Sequence, residues 1–426
     1  MFRENLLDKT LYSIKKLVPK SVFKALAPYY HSFLAHTGAI IYGYPSRSMK
    51  VIGVTGTKGK STTVFLTTHI LEGAGKKVAA IGSLGFKIKD KTWPNTLKMT
   101  MPGRFKLQKF LSEAKKAGCE YVVLEVTSEG ISQKRHLGID FDCAVFTNLH
   151  KEHLESHGSF EKYMAAKQEL FRKTSNRHVI NADDFYAEKF GNFKAKQKIY
   201  YGIKAGDMVA KNIQTHASGS FFEVYGTYFN IHFGGEFNIL NTLAALSVAA
   251  MYEIDLPSAK PVLDKIKEIP GRMQFIQRDP FSVVVDYAHT PDSLRSVYGA
   301  LKKDTPGRLI CILGSAGGGR DTWKRPEFGS IAEQYCDKIL LTDEDPFEEN
   351  PRKIVDEIYA GIQRKDKVEI IMDRKDAIRL AIKEAQPGDA VIITGKGSEI
   401  SMALAGGKKI PWSDAEIIRE ALRING

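Results

Sequence analysis

Residues 50–63 read Lys-Val-Ile-Gly-Val-Thr-Gly-Thr-Lys-Gly-Lys-Ser-Thr-Thr, and no other stretch restricts the fold as strongly. The apolar run Val51 to Val54 breaks into Gly56-Thr57-Lys58-Gly59-Lys60-Ser61, and a helix-compatible segment from Thr62 to Glu72 follows. The order is strand, glycine loop, helix. Backbone N–H groups in such a loop close around phosphate oxygens, and the helix N-terminus adds partial positive charge. Lys60 then reaches the outer phosphates of a nucleotide, and the Ser61 hydroxyl binds the Mg²⁺ that bridges them. The loop is a variant, because Val54 stands where the strict pattern has glycine. The alternative is a plain glycine-rich turn; Gly-Lys-Ser between a strand and a helix favours phosphate.

The rest of the chain extends this into an α/β protein. Continuous apolar runs at 77–82, 121–126, 142–147 and 178–182 read as parallel strands covered on both faces. Residues 220–233 alternate, as antiparallel strands do, and a helix is expected over 238–253. Beyond Pro270-Gly271 a second alternation begins. Its strands are expected at 282–286, 308–313, 338–342, 368–371 and 390–394, with helices between them and a last helix at 414–423. The expected organisation is a basic helical extension (1–49), a P-loop-type central ATPase domain with a parallel sheet (50–269), and a Rossmann-like doubly wound C-terminal domain (270–426). In the extension, Leu6, Leu7, Leu11, Ile14, Leu17 and Val18 recur at helical spacing between lysines. It reads as an amphipathic helix packed on the next domain, in preference to one lying on a membrane surface.

A net charge of +13 suits anionic partners. No aromatic-interleaved basic repeat or nucleic-acid motif is present, so phosphorylated substrates are expected and nucleic acid is not. There is no apolar run of about eighteen residues and no signal-peptide pattern. Cys119, Cys143, Cys311 and Cys336 show no metal or redox spacing, and Cys143 and Cys311 sit in strand-like runs. Buried free thiols in a reducing cytoplasm are expected.

Several clusters carry chemistry. Glu125 ends a buried strand beside the loop, where a carboxylate holds Mg²⁺. His150, His153 and His157 are close in sequence, but no cysteine accompanies them, and one histidine assisting magnesium is favoured over zinc. Asn238 and Asn241 share a helix face, and an amide both donates to and accepts from an adenine edge. Asp286 ends a strand, where a carboxylate accepts from ribose hydroxyls; Arg272 stands at the domain junction. Gly314 to Arg325 forms a second glycine loop dense in cations, and Asp343-Glu344-Asp345-Pro346-Phe347-Glu348-Glu349 is an acidic loop that attracts an amine.

Eight runs, taken in order, resemble the Mur ligase family of ATP-dependent amide-bond ligases, and within it the branch that adds the third residue of the peptidoglycan stem peptide. They are Gly-Thr-Lys-Gly-Lys-Ser, Glu-Val-Thr-Ser, Phe-Thr-Asn-Leu with Glu-His, Tyr-Met-Ala-Ala-Lys, Gly-Arg-Met, Asp-Tyr-Ala-His-Thr-Pro-Asp, Gly-Gly-Arg-Asp with Lys-Arg-Pro, and Gly-Lys-Gly. The resemblance spans about residues 50 to 415. It implies that Gly56, Thr57, Lys58, Gly59, Lys60, Ser61 and Thr62 cradle ATP, with Lys60 catalytic. It implies that Asn241 meets adenine, Asp286 the ribose and Arg272 the phosphates. Ser61, Glu125 and His153 become metal ligands, and Lys167 matches a lysine that CO₂ converts to a carbamate, an oxygen ligand for a second Mg²⁺. Thr127 and Arg135 match positions that hold the acceptor; Arg320, Gly395 and Glu399 match positions around the incoming amino acid, and Asp345 joins them from the acidic loop.

The implied reaction is attack of a carboxylate on the γ-phosphate, then of an amine on the acyl phosphate after domain closure. Three departures shape the expectation. The branch carries a uridine-nucleotide domain before the P-loop strand, whereas residues 1–49 look helical and basic; the acceptor is a peptidoglycan-precursor-like peptide with or without UDP. Diaminopimelate-adding members carry Asp-Asn-Pro-Arg, where the Arg grips a distal carboxylate. Phe347 replaces that Arg, and Asp345, Glu348 and Glu349 favour a basic or diamino acid such as lysine. Ser398 replaces the usual histidine after Gly-Lys-Gly, and Glu152 the usual Asp before His153. The runner-up is a folylpolyglutamate-synthase-like ligase or another ligase of this type. A non-catalytic partner protein that keeps the nucleotide fold is disfavoured by Lys60, Glu125, His153 and Lys167 standing together.

Overall fold

The computed structural model describes residues 20–97, 99–152, 157–319 and 321–425, without the side chains of 20–25, 28 and 425. The expectations for residues 1–19, His153 and Arg320 therefore lie outside the described residues. Two compact units emerge. One takes the described residues up to His150 with Ser159–Val209 and Leu240–Ala259; the other takes Ala210–Ile239 and the chain from Lys260, with the described part of 151–158.

The first unit is built on a nine-stranded sheet. Its strands are β1 (Lys50–Thr55), β2 (Val78–Gly82), β3 (Gly85–Ile88), β4 (Lys91–Trp93), β5 (Tyr121–Glu125), β6 (Phe141–Phe146), β7 (Arg177–Asn181), β8 (Gln197–Gly202) and β9 (Met208–Val209). The order is β4-β3-β2-β5-β1-β6-β7-β8-β9. β1 pairs in parallel with both β5 and β6, and only the β2–β3 and β3–β4 pairings at one edge are antiparallel. Val51, Ile52 and Val54 are fully buried, as a central strand covered on both faces requires. The chain crosses over β1 between β5 and β6, so the loops after these three strands meet at one carboxyl edge. That is where doubly wound sheets bind ligands.

Helices Lys60–Gly73, Arg104–Lys116 and Phe160–Lys173 cover this sheet. The last is well terminated: the Ser159 side chain accepts from Lys162 N, Glu161 lies in the first turn, and Arg172 and Lys173 lie in the last. Those charges complement the helix dipole. The helix Lys20–Ile41 packs one face on the unit. Gly38 sits against Phe105 and Gln108, and Ala39 against Gly138.

The second unit holds β10 (Lys211–His216), β11 (Gly219–Val224) and β12 (Thr227–Ile231) as a small antiparallel sheet. Its main sheet has β13 (Gln274–Gln277), β14 (Ser282–Val285), β15 (Leu309–Leu313), β16 (Lys338–Leu341), β17 (Val368–Ile370) and β18 (Ala390–Ile393), in the order β13-β14-β18-β15-β16-β17. All pairings are parallel except β13–β14. Alternate residues feed two cores. Val284, Leu309, Cys311 and Leu313 join one; Val283, Val285, Ile310 and Ile312 join the other. A β19–β20 hairpin (Ser401–Ala403, Lys409–Pro411) follows. All four cysteines are buried and unbridged. Among the described residues no helix is long and apolar enough to cross a membrane.

Candidate active site

In the first unit the glycine loop is gripped from the loop that follows β6. Asn148 Oδ1 accepts from Lys58 N at 2.8 Å, Asn148 Nδ2 donates to Lys58 O at 3.2 Å, and Thr147 Oγ1 donates to Lys58 O at 2.6 Å. Thr57 Oγ1 accepts from His150 N at 3.0 Å and lies 3.0 Å from the Tyr163 hydroxyl. Behind these, Asn181 Nδ2 holds Thr147 O at 2.7 Å, and Asp184 accepts from Leu149 N at 2.9 Å. Burial raises the Asp184 carboxyl above its ordinary value. The loop is therefore pre-formed, and a phosphate meets donors already in place.

Two glycines are tightly constrained by geometry. A methyl at Gly56 would lie 1.9 Å from Thr147 Oγ1, and one at Gly59 (φ +79°) would lie 2.1 Å from Asn241 Oδ1. The second contact places Asn241, the expected adenine partner, directly on the phosphate loop. Gly59 caps the helix Lys60–Gly73 in the left-handed conformation, which only glycine adopts without penalty.

Lys60 Nζ donates to Gly56 O at 3.0 Å and to Thr57 O at 2.8 Å. Lys167, 2% exposed on the helix after β6, also places Nζ on Gly56 O, at 2.6 Å, and over the Tyr163 ring. Ser61 Oγ donates to Glu125 Oε2 at 3.0 Å, and Ser83 N donates to the same oxygen at 2.8 Å. A hydroxyl and a carboxylate side by side are the hard oxygen donors that Mg²⁺ takes alongside phosphate and water. Among the described residues no three His, Cys, Asp or Glu side chains form a metal cluster, and a magnesium ion held largely by phosphate needs none.

Two residues on, Thr127 caps a short helix, accepting from Gly130 N at 3.0 Å. Arg135 is buried and ties Met101 O and Gln133 Oε1 together. Burial lowers its affinity for its proton, and its Nε has no partner among the described residues.

In the second unit three distant motifs converge. Gly271 and Arg272 lie against the Gly397–Ser398 backbone, and Gly397 lies against Tyr287. Arg272 stacks on the Tyr287 ring, 4.4 Å from its centroid, and the Tyr287 hydroxyl donates to Glu399 at 3.4 Å. Asp286 accepts from Met273 N and Ala288 N, both at 2.7 Å. Burial raises its pKa, which the Arg272 charge and these two bonds oppose.

The acidic loop differs from its sequence reading. Asp345, expected to meet the amino acid, has both oxygens 2.9 Å from Lys396 Nζ. Glu349 accepts from Arg325 at 2.9 Å, and Glu348 accepts from Gly406 N at 2.9 Å. These carboxylates are already committed to partners inside the protein. Lys396, fully buried, also donates to Glu399 at 2.7 Å. Burial works against its charge, but Glu399 and Asp345 outweigh that and its pKa is raised. The available acid is Glu344. It is 5% exposed, its carboxylate lies against Gly395, and burial pushes it up to about 7, with Arg374 opposing and Asp345 adding to the rise.

Sequence reasoning missed Arg374. It is fully buried and bidentate to Asp414 (3.0 and 2.8 Å), and it donates to Thr394 O at 2.8 Å. Its Nη1 has no partner among the described residues. A lone arginine at a helix start carries no signal of burial; Arg374 four residues before an apolar Ile378, with a distant Asp414, was the only trace.

Profiles of the Mur ligase middle domain and of the Mur ligase glutamate ligase domain match residues 54–249 and 271–397. The chain is 38% identical over 400 residues to a UDP-N-acetylmuramoyl-L-alanyl-D-glutamate–2,6-diaminopimelate ligase of Thermosynechococcus vestitus, covering 90% of this chain and 79% of that one. It is 37% identical over 416 residues to a UDP-N-acetylmuramyl-tripeptide synthetase of Roseiflexus, covering 91% and 81%. A solved UDP-N-acetylmuramoyl-L-alanyl-D-glutamate–2,6-diaminopimelate ligase superposes with a TM-score of 0.62 at 31% identity, covering 88% and 78%.

Proposed function

The chain belongs to the Mur ligase family of ATP-dependent carboxylate–amine ligases, and from that premise we propose that it joins an amino acid to the carboxylate of a peptidoglycan-precursor peptide. The observation that carries the reading is the convergence of Lys60, Ser61, Glu125 and Lys167 on one glycine loop. Lys60 leaves the Gly56 and Thr57 carbonyls for the outer phosphates, where its charge offsets repulsion between two anions as the acceptor carboxylate attacks the γ-phosphate. Ser61 and Glu125, with His153 as a further ligand, would hold Mg²⁺, which would supply charge neutralisation on the phosphate oxygens. Lys167, carbamylated by CO₂, adds an oxygen donor at the same loop. Asn241 meets adenine, Asp286 the ribose, Arg272 the phosphates, and Thr127 with Arg135 the acceptor. The reaction belongs in the cytoplasm, where ATP and such precursors occur together.

The amino acid is received in the second unit, around Arg374, Glu344, Gly395 and Glu399, and the family resemblance adds Arg320 to this set. Arg374 offers a spare N–H to a carboxylate, and Glu344 offers a carboxylate to an ammonium. Phe347, next to Gly318, brings no charge for a second carboxylate. A side chain ending in an amine, as in lysine, fits this set better than diaminopimelate, for which several relatives are named. The test is ADP release over a panel of amino acids and of acceptors with and without UDP. Lysine-type amines should be preferred; a clear preference for diaminopimelate sinks the amine assignment. Lys60→Ala should remove amine-dependent ADP release by about a thousandfold; unchanged release would overturn the mechanism.

A further inference from the structure

The helix Lys20–Ile41 has two apolar faces, and among the described residues only one is packed. Ala35, Gly38 and Ala39 turn inward and are buried. On the opposite face Leu26, Tyr29, Phe33, Ile40 and Ile41 are 57% to 78% exposed, and Tyr30 beside them is 37% exposed. The spacing 26, 29/30, 33, 40/41 follows the helical repeat, so these side chains lie along one face about 22 Å long, interrupted between Phe33 and Ile40 by His36 and Thr37. Large side chains exposed singly mean nothing, but six along one helix face form a contact surface.

Charge says what covers it. From Lys9 to Leu71 the sequence contains no Asp or Glu, while Lys9, Lys15, Lys16, Lys20, Lys24, Arg47 and Lys50 all fall within it. Arg47 and Lys50 pair with Asp140 and Asp142, so the cationic set that counts is Lys9, Lys15, Lys16, Lys20 and Lys24. An apolar, aromatic-rich helix face next to them in sequence matches the headgroup region of an anionic bilayer. Tyr and Phe rings enter the interface, and Lys and Arg meet lipid phosphates. A second copy of the chain would bring two such cationic segments, on two molecules of net charge +13, against each other. We propose that this face docks the protein on an anionic lipid surface, the helix lying in the plane of the interface.

The test uses the full chain in vesicle flotation. The chain should bind phosphatidylglycerol-containing vesicles, bind pure phosphatidylcholine vesicles far more weakly, and release with added salt. The triple variant Tyr29→Ser/Phe33→Ser/Ile40→Ser changes only exposed positions outside the catalytic site, so ADP release in solution stays at the parent level. Its partition onto anionic vesicles should fall by about a hundredfold or more. No binding of the parent to anionic vesicles, or equal binding of the triple variant, overturns the proposal. So does a concentration-dependent dimer that the substitutions dissolve, which assigns the face to a second copy. Faster proteolysis of residues 1–19 in the triple variant without vesicle binding by the parent also overturns it, assigning the face to the chain's own N-terminus.

Discussion

Replacing Gly59 by Ala tests the link between the phosphate loop and Asn241, the proposed adenine partner. Gly59 has φ +79°, and the added methyl would stand 2.1 Å from Asn241 Oδ1 and 3.1 Å from its Cγ. The left-handed backbone costs about 1–2 kcal/mol for a residue with a Cβ. Moving the nearly buried Asn241 side chain off its rotamer costs about 0.5–1.5 kcal/mol more. Gly59→Ala should therefore destabilise the first unit by about 2–3 kcal/mol and weaken ATP binding, since Asn241 is displaced. Urea unfolding followed by Trp93 fluorescence, in a Trp323→Phe/Trp412→Phe background, reports on that unit. Asn241→Ala removes the overlapping atoms but not the backbone strain, so in that background Gly59→Ala should cost only about 1–2 kcal/mol. Strict additivity of the two substitutions would refute the contact. A Gly59→Ala protein as stable as the parent would refute the strain as well.

Three further outcomes follow from the same geometry. Glu125→Gln leaves Ser61 a weaker partner and should raise the magnesium concentration needed for ADP release by about tenfold or more; an unchanged magnesium titration contradicts the ligand assignment. Glu344 ionises at about 7 in the fold against 4.5 unfolded, so its ionisation is penalised by folding. Stability is fully present below pH 4.5 and declines as pH rises to about 7. Glu344→Gln should remove that slope, gain about 3 kcal/mol above pH 7, and raise KM for the amino acid while sparing that for ATP. Arg374→Met strands the buried Asp414 and should cost about 3–5 kcal/mol. Adding Asp414→Asn, which still accepts from Trp412 Nε1, should return most of it, as thermal unfolding would show.

Much of the fold was legible because its strands are buried on both faces. The runs around Val51, Val122, Val145, Ile312 and Ile392 are apolar without interruption, and each became a parallel strand within a residue or so. The short, half-exposed pieces escaped notice. The β3–β4 and β19–β20 hairpins owe their pairing to partners rather than to any internal pattern. At the site, motif spacing pointed to Lys60, Ser61 and Glu125, because phosphate chemistry leaves few residue choices, whereas Lys167 stood out only through the family resemblance. It could not tell which carboxylates of the acidic loop were already committed. Asp345 and Glu349 looked available until Lys396 and Arg325 were found against them. Charge compensation across fifty-one residues of sequence leaves no local mark.

One carbonyl oxygen, that of Gly56, receives both Lys60 and Lys167. Two ammonium groups on one dipole repel, and each is held there less firmly than it would be alone. Were CO₂ to convert Lys167 to the proposed carbamate, its positive charge would disappear and the competition would end. Were ATP to draw Lys60 to its phosphates, Lys167 would be left with the oxygen to itself. Under that proposal, whatever factor dissolved CO₂ applies to ATP affinity, ATP must return to carbamate formation, because a binding equilibrium coupled through a shared group is reciprocal. The nucleotide response would then also be a response to CO₂ supply, set at a single backbone atom.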